Sequence, residues 1–326
     1  MLKGSVWDVV GNTPLIRIKS LSEMTGCEIY GKAEYLNPGG SIKDRAAKGI
    51  IGDAEMTGRL KPGGTIVEGT AGNTGIGLAT LAAERGYHCI ISMPDNQATE
   101  KYDLIRVLGA DLRLVPPCPF KNENHFYHQA KKIAEDTPDA IWANQFENEA
   151  NGRFHFETTG PEIWEQMEGR LDYLTLAVGT GGTFGGCSSF LKSKDPNIKI
   201  VVVDPPGSGL YKYITTGEIS TEGGSITEGI GIMRITANFA LGQADDALRF
   251  EDQSMIDMLY HLASEDGLVV GTSAALNARA AYEIAMKNRG SGKRIVTFLC
   301  DSGTRYMSRL FNKDWLKEKG LRPKPL

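Results

Sequence analysis

Short apolar runs of strand length alternate with longer helix-compatible stretches along most of the chain, and this alternation restricts the fold more than any other feature. Most of the runs are continuously apolar, which is typical of strands that helices cover on both faces of a parallel sheet. The predicted strands are Glu28–Glu34, Thr65–Glu68, His88–Met93, Asp111–Val115, Ala140–Ala143, Tyr173–Val178, Lys199–Val203 and Arg294–Leu299. The predicted helices include Gly75–Arg85, Thr99–Leu108, Gln253–Glu265 and Ala274–Lys287. The pattern therefore predicts an α/β protein.

The size and charge of the chain exclude several classes of function. A chain of 326 residues favours two domains at roughly 150 residues each. The formal net charge of −4 provides no global basic field, so we expect no nucleic-acid partner. No apolar run approaches the roughly 18 residues that a membrane span needs, and Met1–Thr13 does not resemble a secretory leader. We therefore expect a cytoplasmic protein without a membrane partner.

The cysteines and histidines predict neither a disulfide framework nor a metal site. The five cysteines are widely spaced and form no C-x-x-C pair, so we expect free thiols. Cys89 and Cys300 lie in apolar strand-like runs, where a small buried side chain is the simplest role. His125 and His128 could share one helix face, but no further ligand joins them at metal spacing, which favours two exposed histidines. We expect no metal.

The first of three glycine-rich turns is Gly179–Gly186, which follows the predicted strand Tyr173–Val178 and precedes a helix-compatible stretch. A glycine turn at a helix N-terminus presents unpaired backbone N–H groups that suit a phosphate, and Thr180 and Thr183 add hydroxyl donors. Phe184 stands where a dinucleotide fingerprint would have its third glycine, so a nucleotide is not required. A tight turn without a ligand is the alternative interpretation.

The second turn, residues 70–75 (TAGNTG), has the same geometry at the start of a predicted helix. Its hydroxyls, asparagine amide and backbone N–H groups could clamp a carboxylate, although asparagine and threonine are also ordinary helix caps. The third turn, residues 37–45 (NPGGSIKDR), places Lys43 in a first helical turn. The helix dipole disfavours an ammonium group there and suits an amine that acts uncharged, whereas most lysines are solvated surface groups.

Two anion cradles and one activatable lysine are the parts that pyridoxal phosphate chemistry on an amino acid requires. Five segments occur in the order seen in the cysteine synthase and cystathionine β-synthase family, and the chain resembles that family over nearly its whole length. The segments are residues 11–16 (GNTPLI), 37–45 (NPGGSIKDR), 70–75 (TAGNTG), 179–183 (GTGGT) and 271–274 (GTSA). A generic sugar-phosphate-binding module is disfavoured because it gives Lys43 and Ser273 no role.

The resemblance implies a tryptophan-synthase β-like fold: two open, mostly parallel α/β domains with the cofactor in the cleft between them. We expect a smaller substrate-side domain at residues 41–155. Residues 1–40 and 156–326 would form the larger domain, which anchors the phosphate. Within residues 317–326 the sequence is that of a frayed polar tail.

The family motifs assign cofactor roles to particular residues. Lys43 would form the covalent bond to pyridoxal 5'-phosphate and later move the Cα proton, and Asn73 would hydrogen-bond the ring hydroxyl oxygen. Ser273 would face the ring nitrogen, with Ser302 as the alternative; a neutral hydroxyl keeps that nitrogen less positive than a carboxylate would. The residues that match the phosphate-binding positions are Gly179, Thr180, Gly181, Gly182 and Thr183.

The family motifs also assign substrate contacts, namely Thr70, Ala71, Gly72, Asn73, Thr74, Gln145 and Gly229. Gly229 lies in a loop that would close over the cleft and exclude water. Two features depart from the family pattern. Many relatives have serine where this chain has Ala71, and the loop of residues 115–127 differs from the usual cysteine synthase sequence.

We therefore expect β-replacement on an activated L-serine, with O-acetylserine and sulfide giving L-cysteine and acetate. The two departures leave cystathionine formation and cysteine desulfhydration as alternatives. A third alternative is a non-catalytic homologue that binds serine acetyltransferase. The resemblance also implies a homodimer, with serine acetyltransferase as a partner.

Overall fold

The structure is a computed structural model that describes residues 4–326, and its strands form two open sheets. The six-stranded sheet has the order β1-β2-β10-β7-β8-β9, and the four-stranded sheet has the order β5-β4-β3-β6. The strands are β1 (Leu15–Arg17), β2 (Glu28–Ala33), β3 (Thr65–Gly69), β4 (His88–Pro94), β5 (Asp111–Val115), β6 (Ala140–Trp142), β7 (Tyr173–Ala177), β8 (Lys199–Asp204), β9 (Asp246–Arg249) and β10 (Arg294–Leu299). All neighbouring strands are parallel except β1 and β2.

Helices cover both sheets. The α-helices are α1 (Val6–Val9), α2 (Lys19–Thr25), α3 (Lys43–Met56), α4 (Asn73–Arg85), α5 (Thr99–Val107), α6 (Phe126–Asp136), α7 (Ala150–Phe154), α8 (Gly160–Gln166), α9 (Gly182–Lys194), α10 (Leu210–Thr216), α11 (Ala237–Ala240), α12 (Asp252–Glu265), α13 (Thr272–Lys287) and α14 (Lys313–Glu318). A π-helical turn at His155–Thr159 joins α7 to α8, and short 3-10 turns lie at Glu34–Leu36 and Gly303–Tyr306. The α/β class predicted from the sequence is confirmed.

All eight predicted strands are present, and none of their ends differs from the prediction by more than one residue. The prediction missed β1 and β9, the two outer strands of the six-stranded sheet. β1 has only three residues, and β9 has four with a single buried one, so neither contains the apolar run that reveals a strand covered on both faces. β5 was predicted although it is largely exposed; its exposure arises because it also lies at the edge of its sheet.

Each sheet has its own hydrophobic core. α3 and α4 pack together against the four-stranded sheet, and their apolar side chains form one cluster with those of β3 and β4. Two further clusters lie on opposite faces of the six-stranded sheet. The boundaries of the two predicted domains, 41–155 and 1–40 with 156–326, stay a prediction.

The predicted frayed tail is wrong for part of its length. Lys317 belongs to α14, and Leu321 packs against the core beside α12. Beyond it, Arg322 exchanges two hydrogen bonds with Gln253, and the backbone N–H of Lys324 donates to Asp257. These bonds satisfy backbone groups that the sequence pattern left open. Across residues 4–326, every helix is too short or too polar to span a lipid bilayer.

Candidate active site

One cavity of about 220 Å³ gathers nearly all of the residues predicted to bind the cofactor and the substrate. Its lining includes Lys43, Thr70, Ala71, Gly72, Asn73, Thr74, Gln145, Gly179, Thr180, Gly181, Thr183, Gly229 and Ser273. Both sheets contribute, because the loops involved follow the carboxyl ends of β3, β6, β7 and β10, where ligands bind in open parallel sheets. Gly182 is the predicted site residue that does not line the cavity.

Lys43 is the first residue of α3 and lines the cavity. Burial lowers the pKa of its amine, Lys101 lowers it further, and the nearby Cys300 and Asp301 oppose the shift. A lowered pKa increases the uncharged fraction at neutral pH. The lowered pKa therefore favours the uncharged state that a nucleophile or a general base needs.

A buried ion-pair network anchors the backbone that carries Lys43. The Arg45 guanidinium donates to both carboxylate oxygens of Glu34 and of Glu162 at 2.7–2.9 Å. Lys32 also donates to Glu162, at 2.7 Å. These partners belong to the six-stranded half of the molecule. The network ties the start of α3 to that half and fixes where the Lys43 side chain emerges.

The turn between β7 and α9, called here the phosphate turn (residues 179–183), presents the first helical N–H groups of α9 to the cavity. N–H groups in a first helical turn have no intrahelical acceptor and suit an anion. The Thr183 hydroxyl is 3.2 Å from His155 Nε2, and His155 Nδ1 is 2.9 Å from the Thr159 hydroxyl. Burial, assisted by Arg45 and Lys43, lowers the pKa of His155 well below its usual value. The neutral imidazole orients the Thr183 hydroxyl.

Close packing explains the glycines of the phosphate turn. A Cβ on Gly179 would lie 2.2 Å from the carbonyl oxygen of Gly229, and one on Gly182 would lie 2.1 Å from Asn151 Oδ1. Gly181 has a φ of +94°. Gly182 therefore packs against Asn151 rather than facing the cavity. The free N–H groups, two threonine hydroxyls and the adjacent lysine amine fit a phosphorylated aldehyde, which needs an anion cradle and a nucleophilic amine.

The loop of residues 70–74 connects β3 to α4 and forms the second cradle. The Thr74 hydroxyl donates to Gln145 Oε1 at 2.5 Å. Gln145 in turn donates its backbone N–H and its amide N–H to the Glu68 carboxylate at 3.2 and 3.3 Å. Glu68 is fully buried, and burial raises its pKa to about 8 against the N–H donors that lower it. Glu68 therefore sets the orientation of Gln145.

Asn73 begins α4, and both ends of its side chain already have partners. Its amide nitrogen donates to Asp301 at 2.7 Å, and its amide oxygen accepts from Arg305 at 2.6 Å. The amide nitrogen carries a second hydrogen, so it retains one donor for a ligand in the cavity. Asp301 and Arg305 were not expected from the sequence, and they hold this donor in place.

Ser273 lies in the first turn of α13 and lines the cavity, whereas the alternative residue, Ser302, does not. The Ser302 side chain accepts a hydrogen bond from the Thr304 backbone and caps the last 3-10 turn. Cys300 lies immediately after β10, whose ends match the predicted strand, and it lines the cavity, which its expected role as a small buried side chain did not anticipate. Burial raises the pKa of its thiol to about 12, against Lys43 and a hydrogen bond with Ser273. Two neutral groups, a hydroxyl and a thiol, therefore meet on this wall.

Other lining residues also escaped the sequence analysis, namely Lys101, Phe126, Phe146, Glu228 and Asn277. Only Glu228 had a signal, since it precedes the glycine loop that was singled out. His125 caps α6, and His128 is 2.7 Å from the carbonyl oxygen of Phe120. In the part of the chain that the structure describes, no three histidine, cysteine or acidic side chains are grouped as metal ligands.

The chain is similar to known enzymes along nearly its whole length. A family model described as "Pyridoxal-phosphate dependent enzyme" matches residues 6–301. "Cysteine synthase 1" of Neurospora crassa is 50% identical over 317 residues, which cover 96% of this chain and 84% of that protein.

Two solved structures are also similar. A hydrogen sulfide-producing enzyme from Fusobacterium nucleatum aligns with a TM-score of 0.85 and 34% identity, covering 94% of this chain and 100% of the other. An O-acetylserine dependent cystathionine β-synthase from Helicobacter pylori aligns with a TM-score of 0.86 and 32% identity, covering 95% and 98%.

The fold and the cavity thus define an enzyme that uses pyridoxal phosphate, and the chain belongs to the pyridoxal-phosphate-dependent enzymes. Within that class it belongs to the cysteine synthase family.

Proposed function

We propose that the protein is a cysteine synthase that converts O-acetylserine and sulfide into L-cysteine and acetate. One observation carries the proposal: a single cavity joins the Lys43 amine to two separate anion cradles, residues 70–74 and 179–183, with the neutral Ser273 on its wall. An amino-acid substrate and a phosphorylated cofactor together bring two anionic groups into one site, the substrate carboxylate and the cofactor phosphate. The near full-length similarity to "Cysteine synthase 1" supports the same reaction.

Bound pyridoxal phosphate supplies an electron sink that stabilises negative charge at the substrate Cα. The chain supplies the remaining functions. Lys43 holds the cofactor through its amine and moves the Cα proton, for which its lowered pKa prepares it. The loop of residues 70–74 binds the substrate carboxylate through its hydroxyls and backbone N–H groups, and Glu68 holds Gln145 beside it. Gly179, Thr180, Gly181 and Thr183 bind the phosphate through their backbone N–H groups and hydroxyls, and Gly182 packs the turn against Asn151.

Cystathionine formation is the second candidate, because the Helicobacter pylori structure carries that description and has the same fold. The two activities differ in the nucleophile, which is sulfide in one and the thiol of a second amino acid in the other. Charged groups for a second amino acid would have to come from the cavity lining. Among residues 4–326, the basic and carboxylate side chains that line it are Lys43, which holds the cofactor, and Lys101 and Glu228, which are paired with each other. This pairing favours sulfide.

The test is a spectrum of the purified protein followed by product analysis. We expect the protein loaded with pyridoxal phosphate to show an absorbance band at the short-wavelength end of the visible spectrum. Lys43→Ala should lose that band together with turnover. Mixing the wild type with O-acetylserine and sulfide should give cysteine, whereas serine and homocysteine should give little cystathionine. A Lys43→Ala protein that kept both the band and the turnover would contradict the proposal.

We further propose a cytoplasmic location, a homodimer and a serine acetyltransferase partner. The free state of all five cysteines supports a reducing compartment. The dimer and the partner rest on the family resemblance. Light scattering on the purified protein tests the dimer, and a C-terminal peptide of serine acetyltransferase, titrated against the cofactor fluorescence, tests the partner.

A further inference from the structure

Residues 228–236, called here the strap, run across the cavity and supply five of its lining residues. These residues are Glu228, Gly229, Ile230, Gly231 and Ile232. The strap is hydrogen-bonded to the six-stranded half of the molecule. The Gly231 N–H donates to the carbonyl of Val178 at 2.9 Å, and the Thr236 hydroxyl donates to the carbonyl of Thr180 in the phosphate turn at 2.8 Å.

At its far end the strap reaches the other half of the molecule through Arg234. The guanidinium carbon lies 4.9 Å from the ring centroid of Phe120, 5.3 Å from that of Tyr127 and 5.2 Å from that of Phe146. These three rings are called here the aromatic cluster. Arg234 also forms an ion pair with Glu147, and its side chain is 32% exposed. Contacts of this kind are individually weak at a solvent-accessible position, so the contact between Arg234 and the aromatic cluster can open.

The near end of the strap is held more firmly. Glu228 accepts a hydrogen bond from Lys101, which is 2% exposed, and a second from Arg309 at 2.7 Å. The Lys101 stem lies against Gly72, where an added Cβ would be 2.6 Å from Lys101 Cδ. The strap is therefore tied at both ends to elements that flank the loop of residues 70–74, and the end at Arg234 is the more accessible.

The aromatic cluster also continues into the cavity wall. Phe146 belongs to the cluster and lines the cavity, and Phe126 lines it from the start of α6. The Phe126 backbone is fixed by Gly69, where a Cβ would lie 2.7 Å from the Phe126 carbonyl oxygen. The segment that differs from the usual cysteine synthase sequence, residues 115–127, thus supplies two of the three rings on which Arg234 docks and part of an apolar wall.

We propose that Arg234 is a positioning residue that sets the specificity for the second substrate. By docking on the aromatic cluster it holds the strap over the cavity, so that the reacting substrate is retained, sulfide is small enough to enter, and bulkier amino-acid thiols are excluded. The proposal rests on the proposed function. When the strap is loose, the substrate that has lost acetate leaves the cavity and is hydrolysed before sulfide adds: O-acetylserine and water then give pyruvate, ammonium, acetate and one proton, and no sulfide is consumed.

The experiment uses the holoenzyme with one control and three variants of the contact between Arg234 and the aromatic cluster, which is called here the latch. Arg234→Met keeps the length of the side chain but removes the charge, Arg234→Lys keeps the charge without the planar stacking, and Phe120→Leu weakens the latch from the other side. Arg170→Met removes an arginine whose partner is the exposed Glu168, and it serves as the control.

We expect Arg234→Met to raise the ratio of pyruvate to cysteine roughly tenfold, equivalent to about 1.4 kcal/mol. Homocysteine should begin to compete with sulfide. Arg234→Lys and Phe120→Leu should give smaller increases, and Arg170→Met none. Hydrogen exchange of the peptide that covers residues 228–236 should be faster in Arg234→Lys than in the wild type, and faster still in Arg234→Met. This readout does not depend on turnover.

An unchanged product ratio in Arg234→Met overturns the proposal, whether or not the strap exchanges faster. Faster exchange in Arg170→Met equal to that in Arg234→Met would also overturn it, since the effect would then be general. A wild type that makes no cysteine from O-acetylserine and sulfide refutes the proposed function instead. In that case the exchange measurement still decides whether Arg234 holds the strap.

Discussion

The buried carboxyl group of Glu68 should make the stability of the protein fall as the pH rises towards 8. The folded protein holds the proton up to a pKa of about 8, whereas the unfolded chain releases it above about 4.5. Between these values the unfolded state binds fewer protons, so the free energy of unfolding decreases with rising pH by up to about 1.4 kcal/mol per pH unit. From pH 5 to pH 8 the loss attributable to this one group is of order 4 kcal/mol.

Glu68→Gln removes the titration but keeps the shape of the side chain. At pH 5 the variant should be less stable than the wild type by about 1 kcal/mol, because the NH₂ group of the glutamine cannot accept the N–H of Gln145 or Gly69 that a carboxyl oxygen accepts in the wild type. As the pH rises the wild type loses stability and the variant does not, so the difference should shrink and change sign before pH 8.

The assay is guanidinium unfolding of both proteins, saturated with pyridoxal phosphate, at pH 5, 6, 7 and 8. Glu318→Gln alters an exposed carboxylate on α14 and should follow the wild type throughout. A stability difference between Glu68→Gln and the wild type that stayed constant over this range would refute the reasoning, because the two curves separate only through the titration of Glu68.

Three further predictions concern groups around the cavity. Arg45→Met should cost about 3–5 kcal/mol of stability at pH 7, because the buried Glu34 carboxylate loses its guanidinium partner and Glu162 keeps only Lys32. Since Arg45 and Lys32 lower the pKa of Glu162 to about 2, the wild type should also lose stability as the pH falls from about 4.5 to 2, and unfolding curves at these two pH values check this. Gly179→Ala should weaken pyridoxal phosphate binding at least tenfold in a fluorescence titration, because its Cβ would meet the strap backbone, whereas Gly224→Ala, with nothing within 4 Å, should not. Below pH 6.5 the unfolded chain protonates His155 and the folded protein does not, which lowers the Tm of the wild type as the pH falls. His155→Asn should remove this part of the fall in Tm. Parallel curves of Tm against pH for the variant and the wild type would show that His155 contributes nothing.

The sequence was sufficient for the main strands and for the position of the two cradles. Continuously apolar runs mark buried parallel strands, and glycine turns directly after such runs must lie at the carboxyl edge of a sheet. Each cradle could therefore be placed at the edge of a sheet before any distance was known. The two cradles follow strands of different sheets, so their meeting with Lys43 in one cleft was implied by the family resemblance and not by local pattern.

Contacts between distant side chains could not be predicted in the same way. Lys101 and Glu228 are 127 residues apart, and neither has a local pattern that distinguishes a buried ion pair from two solvated surface charges. Cys300 follows an apolar run and therefore looks like a core residue in the sequence; it lines the cavity because it lies just beyond the end of β10. Such pairings depend on how the two halves of the molecule pack, and no periodicity within a segment contains that information.

The position of β10 has a consequence for the growing polypeptide. This strand comes last in the chain but lies in the interior of the six-stranded sheet, between β2 and β7. While a ribosome is still adding residues before Arg294, β2 and β7 have no partner on that side and present open backbone edges that invite intermolecular pairing. The four-stranded sheet has all of its strands once Trp142 has emerged. We therefore expect nascent chains to depend on chaperones until the final strand arrives, and truncations before residue 299 to aggregate.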